Sequence, residues 1–310
     1  MTQIKVLYIA GPSRSGSTFL SSILGEVPGI FNAGEVIDLW DRGFLHDGLC
    51  SCGLSFSQCG VWADVINEVF KKTDNCNARG MMHIRDLTAR SWLIPIYLAL
   101  PGQRERMRRR LQPFLFNLAE LYRCIMVRTG SRVVVDSSKN VGYAYLLSLM
   151  PSIELYCVHL IRDSRATVYS WRRRKAGLWQ QPPGKTTLSW ISRNITAGLL
   201  ADRMKNRCER LRYEDFVKSP RATVNRVLSL IREEPQSLPF VTDAEVELHR
   251  QHSVYGNPDR FGTGRITVRL DDEWRREIKT SDYVLVTALS WPLLIRYGYP
   301  ILSRDSSRIF

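Results

Sequence analysis

The sequence contains no apolar run of the ~20 residues that a membrane-spanning helix requires. Its longest, 92–100 and 283–295, fall short, and each holds a proline. A strand-like pattern begins at Ile4, leaving no room for the basic and apolar stretches of a secretory leader. The expectation is a soluble, cytoplasmic chain with no transmembrane segment. Internal repeats and long low-complexity tracts are also lacking, which excludes repeat architectures. The seven cysteines are an odd number at irregular spacing, so no secreted disulfide framework is expected. Zinc-finger spacings, RNP motifs and basic zippers are missing, and few aromatics interleave with the basic runs.

What the chain has in excess is positive charge: 44 Lys and Arg against 30 Asp and Glu, a formal net charge of +14. Nucleic acid, an anionic membrane face and a polyanionic small ligand all answer to such an excess. Much of it is arginine in two clusters, 104–110 and 172–175, the first in a helical stretch whose usual role is a solvated face. Without a nucleic-acid motif, the small polyanionic ligand is favoured and no nucleic-acid partner is expected. Nothing in the pattern speaks to oligomeric state.

Strand-like runs at 4–10, 132–135, 154–161 and 208–212, with a short one at 30–31, alternate with helix-like runs at 16–25, 103–129, 141–150, 166–175, 188–205 and 219–232. Such alternation predicts an α/β fold: a parallel sheet covered on both faces, with ligand sites at the carboxyl ends of its strands. The segment 41–102 breaks the pattern and reads as an insertion of loop and helices that shapes a substrate pocket. Residues 180–185 read as a mobile loop, and 255–264 as a second, Gly-rich one. No linker divides the chain, so 1–310 is taken as one domain.

The most informative string is Gly11-Pro12-Ser13-Arg14-Ser15-Gly16-Ser17-Thr18, directly behind Ile4-Lys5-Val6-Leu7-Tyr8-Ile9-Ala10. Strand, tight turn and helix follow one another here, an arrangement that aims backbone N–H groups and a helix N-terminus at an anion. The spacing resembles the nucleotide-binding P-loop, GxxxxGK[ST], except that Ser17 stands where Lys is required and the nearby cation is Arg14. The string resembles the 5′-phosphosulfate loop of sulfotransferases that use 3′-phosphoadenosine 5′-phosphosulfate (PAPS). In that family Arg or Lys precedes Ser/Thr-Gly-Ser/Thr-Thr, as Arg14 precedes Ser15-Gly16-Ser17-Thr18. The resemblance implies a P-loop-like three-layer α/β/α fold with a central parallel sheet.

A second strand–turn–helix, Leu160-Ile161-Arg162-Asp163-Ser164 through Ser170, resembles the family's 3′-phosphate motif and implicates Arg162 and Ser170. Guanidinium and hydroxyl suit a terminal phosphate, whereas Arg-Asp at a strand end is equally a structural ion pair. Asn32-Ala33-Gly34-Glu35 resembles the placement of a catalytic glutamate in several branches of the family, making Glu35 the candidate general base and Asp38 its rival. Val135-Asp136-Ser137-Ser138-Lys139 resembles a segment of glycan O-sulfotransferases, with Lys139 reaching the transferring group and Ser137 or Ser138 in support. Tyr213, in Tyr213-Glu214-Asp215, either packs on adenine or finishes a core strand. The loop 252–261 resembles a late Gly-Asn loop of bacterial members, and Arg260 or Arg265 is placed for the 3′-phosphate. Cys50, Cys52 and Cys59, with His46 before them, lack a standard structural-zinc spacing and read as a structural or redox-labile loop rather than a metal site.

The resemblance, running from Ile4 to about Trp274, implies in-line transfer of a sulfuryl group from PAPS to a hydroxyl of a small-molecule, lipid or glycan acceptor, with no metal required. Arg14, Ser15, Gly16, Ser17 and Thr18 would then hold the phosphosulfate, and Glu35, Arg14 and Lys139 would act at the reacting centre. None of the five histidines falls in the motif of the histidine-using steroid and phenol branch. Two rivals stay open: a nucleoside or sugar kinase of the P-loop class, and a basic nucleic-acid-binding protein.

Overall fold

The computed structural model describes residues 3–73, 77–173 and 180–301. β1 (Ile4–Ala10), α1 (Ser17–Gly25) and β2 (Ile30–Gly34) open the chain. A 3-10 turn (Val36–Asp38) and a π-helical segment (Leu39–Leu45) lead to α2 (Gly60–Lys72), α3 (Ala78–Thr88), α4 (Ile94–Ala99), α5 (Gln103–Arg110) and α6 (Gln112–Thr129). β3 (Val133–Lys139), α7 (Val141–Ser148), β4 (Ile153–Ile161), α8 (Ser164–Arg172), α9 (Pro183–Met204) and β5 (Cys208–Arg212) follow. The chain closes with α10 (Tyr213–Lys218), α11 (Pro220–Leu230), β6 (Glu245–Leu248), β7 (Gly264–Thr267), α12 (Trp274–Glu277) and α13 (Thr280–Arg296).

β1 to β5 form a parallel sheet in the order β2-β3-β1-β4-β5, while β6 and β7 pair as a separate antiparallel hairpin. β1, β3 and β4 are buried on both faces, which is why β1, β4 and the first half of β3 read as largely apolar runs, whereas the edge strand β5 is charged and only partly buried. Val6, Tyr8 and Ala10 of β1 point into a core shared with Trp62 of α2, Leu118 of α6 and Leu146 of α7. Leu7 and Ile9 point the other way, against Leu20 and Ile23 of α1 and Val224 and Val227 of α11. Each buried Val, Leu or Ile side chain among them contributes about 1.5–3 kcal/mol by leaving water. Polar residues therefore concentrate where the strands stop, and four strands stop at one edge with Gly11, Glu35, Lys139 and Arg162 next in line or last.

Several boundaries depart from the sequence pattern for local reasons. The helical run 103–129 is two helices divided at Leu111, because Pro113 is accommodated in a first turn and not in a helix interior. α8 starts at Ser164, capped by the Asp163 side chain accepting from the Arg165 N–H at 2.8 Å. α9 starts at Pro183, inside the stretch expected to be a mobile loop. The β6–β7 hairpin and α13, which carries Pro292 internally, have no counterpart in the sequence pattern. The segment 41–102 holds helices and a small hairpin but no strand of the main sheet among the described residues.

Candidate active site

The turn after β1 is shaped by two glycines. A Cβ at Gly11 (φ +136°) would lie 2.3 Å from the Leu160 carbonyl oxygen, so β4 approaches too closely for a side chain. Gly16 (φ +90°) precedes α1, and a Cβ there would meet the Tyr213 ring at 2.6 Å. Arg14 also takes a left-handed conformation, φ 66°. The first amides of α1 have no partner within the helix, which leaves Ser17, Thr18 and Phe19 presenting N–H groups at the mouth of the turn. Ser13, Arg14, Gly16, Ser17 and Thr18 line a cavity of about 200 Å³ that Glu35 and Lys139 also enter. Ser15 does not line it. Its hydroxyl is buried and donates to the Pro12 carbonyl at 2.8 Å, so it braces the turn from inside. Gly16→Ala combines left-handed strain with a clash against a packed ring, and roughly 2–4 kcal/mol of stability should be lost; thermal melting checks this, and an unchanged midpoint refutes it.

Glu35 and Lys139 meet at the centre. Lys139 Nζ lies 2.5 Å from Glu35 Oε1, both side chains being largely buried. Two irregularities in register bring them together: β1–β3 pairing slips between Tyr8 and Ala10, and β2–β3 pairing slips between Asn32 and Gly34. Lys139 consequently sits at φ 64° and also donates to the Ser137 carbonyl at 3.0 Å. Behind the pair, fully buried Asp136 accepts from Tyr122 Oη at 2.5 Å, from the Ser138 N–H at 2.9 Å, and from the Ser138 hydroxyl. The Ser138 hydroxyl oxygen accepts from the Ile37 N–H at 3.0 Å, tying the end of β3 to the segment that carries Glu35. Burial pushes the Asp136 carboxyl up to about 6 despite these donors. Burial, then the neighbouring Glu35 charge, likewise pushes Asp38 up to about 6.

Arg162 follows β4 and reaches back to the turn, donating to the Arg14 carbonyl at 3.2 Å and the Asp271 carbonyl at 2.9 Å. Its guanidinium lies over the Tyr213 ring at 4.4 Å and pairs with the Asp271 carboxylate at 3.1 Å. Tyr213 is therefore sandwiched between Gly16 and Arg162, a brace beneath the turn. Ser170 is half-buried on α8 and is not among the residues lining the 200 Å³ cavity, whereas its neighbour Trp171 is. Arg14 lies over the Trp171 ring at 4.8 Å and donates to Asn257 Oδ1 at 3.2 Å. Of the two late arginines, Arg260 turns to the Leu49 and Gly256 carbonyls, and exposed Arg265 pairs with Glu247 across the β6–β7 hairpin. Neither is brought beside Arg162. His46 is exposed and paired with Asp41, and the histidine beside Cys50, Cys52 and Cys59 is His252.

The sulfotransferase family model matches residues 7–234, a span holding the turn, the Glu35–Lys139 pair and Arg162. The chain belongs to the sulfotransferase family. Two solved structures share its fold. The sulfotransferase domain of the Synechococcus PCC 7002 olefin synthase superposes with a TM-score of 0.52 at 16% identity, over 96% of this chain and 95% of that one. The sulfotransferase domain from the curacin biosynthetic pathway does so with a TM-score of 0.51 at 16% identity, over 97% and 99%. Comparison with curated protein sequences gives no match.

This sulfotransferase has a second, larger cavity of about 470 Å³ beside the first, lined by Ile37, Arg85, Trp92, Asn140 and Arg193 among others. Ile37 lies two residues after Glu35 and Asn140 directly after Lys139, so the cavity opens next to the ion pair. Arg193 on α9 joins the two cavities: Nη1 lies 3.5 Å from Ser13 Oγ, and Glu35 is within its Coulombic reach. Sequence reasoning did not single out Arg193 or Asp271, which come from distant segments, nor Trp171 and Asn257, which lie beside Ser170 and within the 252–261 loop but whose side-chain directions the sequence does not show. Among the described residues no helix is long and apolar enough to cross a membrane. The Arg104–Arg110 cluster is partly self-neutralised, Arg108 and Arg109 both pairing with Glu105.

Proposed function

We propose that this sulfotransferase moves a sulfuryl group from PAPS to a hydroxyl, with Glu35 as the base. The observation that carries the reading is the convergence of three strand ends on one pocket, bringing the anion-cradling turn, a carboxylate and a lysine together, while Arg162 from a fourth strand end bonds to the carbonyl of Arg14 in that turn. The residues suit PAPS at both ends. The small cavity falls below the ~300–1,000 Å³ of a whole-ligand pocket and fits a phosphosulfate end. At Arg162, the Asp271 carboxylate lies beside the guanidinium, and the buried Arg162 Nε has no hydrogen-bond partner among the described residues. Bound PAPS supplies an activated sulfuryl group on a phosphate leaving group. Arg14, the hydroxyls of Ser17 and Thr18 and the turn amides would hold the phosphosulfate, and Arg162 with Ser170 the 3′-phosphate.

Glu35 Oε1 is the proton acceptor for the attacking hydroxyl, which enters from the 470 Å³ cavity. Lys139 pairs with Glu35 in the free protein and can turn Nζ toward charge developing on the leaving oxygen. Ser138, fixed by Asp136, keeps the Glu35 segment in register with Lys139. The polar lining of the larger cavity, with Trp92 as an apolar wall, suits a small-molecule, lipid-headgroup or glycan hydroxyl. A P-loop kinase would need a lysine after Gly16, where Ser17 stands, and a free magnesium-holding aspartate on the strand beside β1. Asp136, the one acid on β3, is instead buried under Tyr122 and Ser138. Calorimetric titration with adenosine 3′,5′-bisphosphate, against ADP with magnesium, tests the reading: the bisphosphate should bind at least tenfold more tightly. Preference for magnesium-ADP, or no binding of the bisphosphate, rejects it.

A further inference from the structure

Cys50, Cys52, Cys59 and His252 come together from three separate segments, and their ligand atoms all lie within 4.8 Å of one another. Cys50 Sγ is 3.6 Å from Cys59 Sγ, and His252 Nδ1 is 3.2 Å from Cys59 Sγ and 3.9 Å from Cys50 Sγ. A tetrahedral zinc with usual bond lengths sets S···S at about 3.8 Å and S···N at about 3.6 Å. The observed spacings sit around those values, and the sulfurs are too far apart for a disulfide bond. We propose that these four residues form a closed Cys₃His zinc site that is structural and separate from the reacting centre. This revises the sequence expectation that the cysteine loop holds no metal.

The local backbone is built for such a site. Cys50 and Cys52 lie on a tight hairpin closed by the Leu49–Ser55 bridge, with Gly53 at φ +91° making the turn. The Cys52 backbone N–H points at the Cys50 sulfur, a donor that supports a thiolate ligand. Cys59 precedes the first turn of α2, where the helix N-terminus also favours a thiolate. His252 is held by Trp62, whose indole donates to its carbonyl at 2.7 Å. Ser51 locks the flanking residues: its hydroxyl donates to the Gln251 carbonyl at 2.8 Å and accepts from the Ser253 N–H at 2.7 Å. Three thiolates and one imidazole around Zn²⁺ leave one net negative charge, and Arg260 lies within Coulombic reach of Cys50 while bonded to Leu49. With the cysteines buried and four protein ligands supplied, no position is left for water or substrate, which separates structural from catalytic zinc. Soft sulfur ligands in this geometry favour zinc over the hard cations.

The site would staple the hairpin and α2 to the 251–257 segment, whose continuation forms a wall of the phosphosulfate cavity. There the Tyr255 carbonyl accepts from the Glu35 N–H at 3.3 Å and Asn257 accepts from Arg14. The test uses the full-length, untagged protein purified without chelator and dialysed into metal-free buffer, with zinc measured by elemental mass spectrometry. About one zinc per chain is expected, with Cys50, Cys52 and Cys59 slow to react with a thiol reagent until a strong chelator is added. His252→Ala should lower retained zinc at least tenfold, while His252→Cys, which completes a four-cysteine set, should keep it. Cobalt substituted into the chelated protein should give a thiolate charge-transfer band that His252→Cys strengthens. Wild-type protein with no zinc and freely reactive thiols, or with Cys50 cross-linked to Cys59, overturns the proposal. Neither result depends on what the active site binds.

Discussion

Glu35→Gln is expected to lower turnover about 10²–10⁴-fold, the range associated with a positioned general base, while the affinity for adenosine 3′,5′-bisphosphate stays nearly unchanged. The substitution keeps the shape of the side chain, so Lys139 still has an oxygen to meet, but the carboxylate that takes the proton is gone. Asp38 is the control. Burial and the Glu35 charge push it up to about 6, so a reaction that relied on ionised Asp38 would slow as the pH falls through that value. Asp136 is also raised to about 6, but it acts on stability with the opposite sign. Its folded form holds the proton more tightly than the unfolded chain does, so between the ordinary carboxylate range and about pH 6 stability rises on acidification. An acidic limb near pH 6 therefore does not arise from Asp136 through unfolding. Turnover surviving in Glu35→Gln but lost in Asp38→Asn, together with an acidic limb near pH 6 in the unsubstituted protein, would move the base to Asp38.

Arg162→Ala is expected to weaken binding of adenosine 3′,5′-bisphosphate about 10–100-fold, the worth of charge-assisted hydrogen bonds to a phosphate. The same guanidinium also spans the Arg14 and Asp271 carbonyls and stacks on Tyr213, so its loss loosens the turn as well. Adenosine 5′-phosphate separates the two effects, since it lacks the 3′-phosphate but uses the same turn. A role at the 3′-phosphate predicts that its affinity barely moves, whereas damage to the turn predicts equal losses for both ligands. Asp271→Asn removes the carboxylate that Arg162 now pairs with at 3.1 Å, and should tighten the bisphosphate alone. Equal loss for both nucleotides in Arg162→Ala would withdraw the 3′-phosphate assignment.

The parts of this molecule written in contiguous strings were legible in the sequence. β1 and β5 coincide with the strand-like runs that predict them, and the parallel sheet follows from their alternation with helices. The glycines around the turn carried their own reason, because a left-handed backbone or a close strand excludes a side chain. Side-chain direction was not legible. Ser15 belongs to the turn motif yet faces inward, and Arg260 belongs to a basic loop yet bonds to Leu49. Segments that meet across the fold were also hidden: Asp271 against Arg162, Arg193 against Ser13, and His252 against the cysteine hairpin. For the cysteines, His46 was the near neighbour in sequence, but chain proximity carries no weight when the partner lies some 200 positions away. The break at Leu111 had a visible cause in Pro113, outweighed by the helical pattern on either side.

The position of β1 in the middle of its sheet has a consequence for biosynthesis. Its partners on the two sides are β3 and β4, with Lys5 opposite Val133 and Glu154. β1 therefore cannot be sandwiched until residues beyond 150 have emerged, roughly 8–30 s after it at ordinary elongation speeds. Through that interval Val6-Leu7-Tyr8-Ile9 is a short, uncharged, β-prone stretch with neither flank covered. Nascent chains that stall before β4 should be the ones that chaperones hold and that precipitate when overproduced.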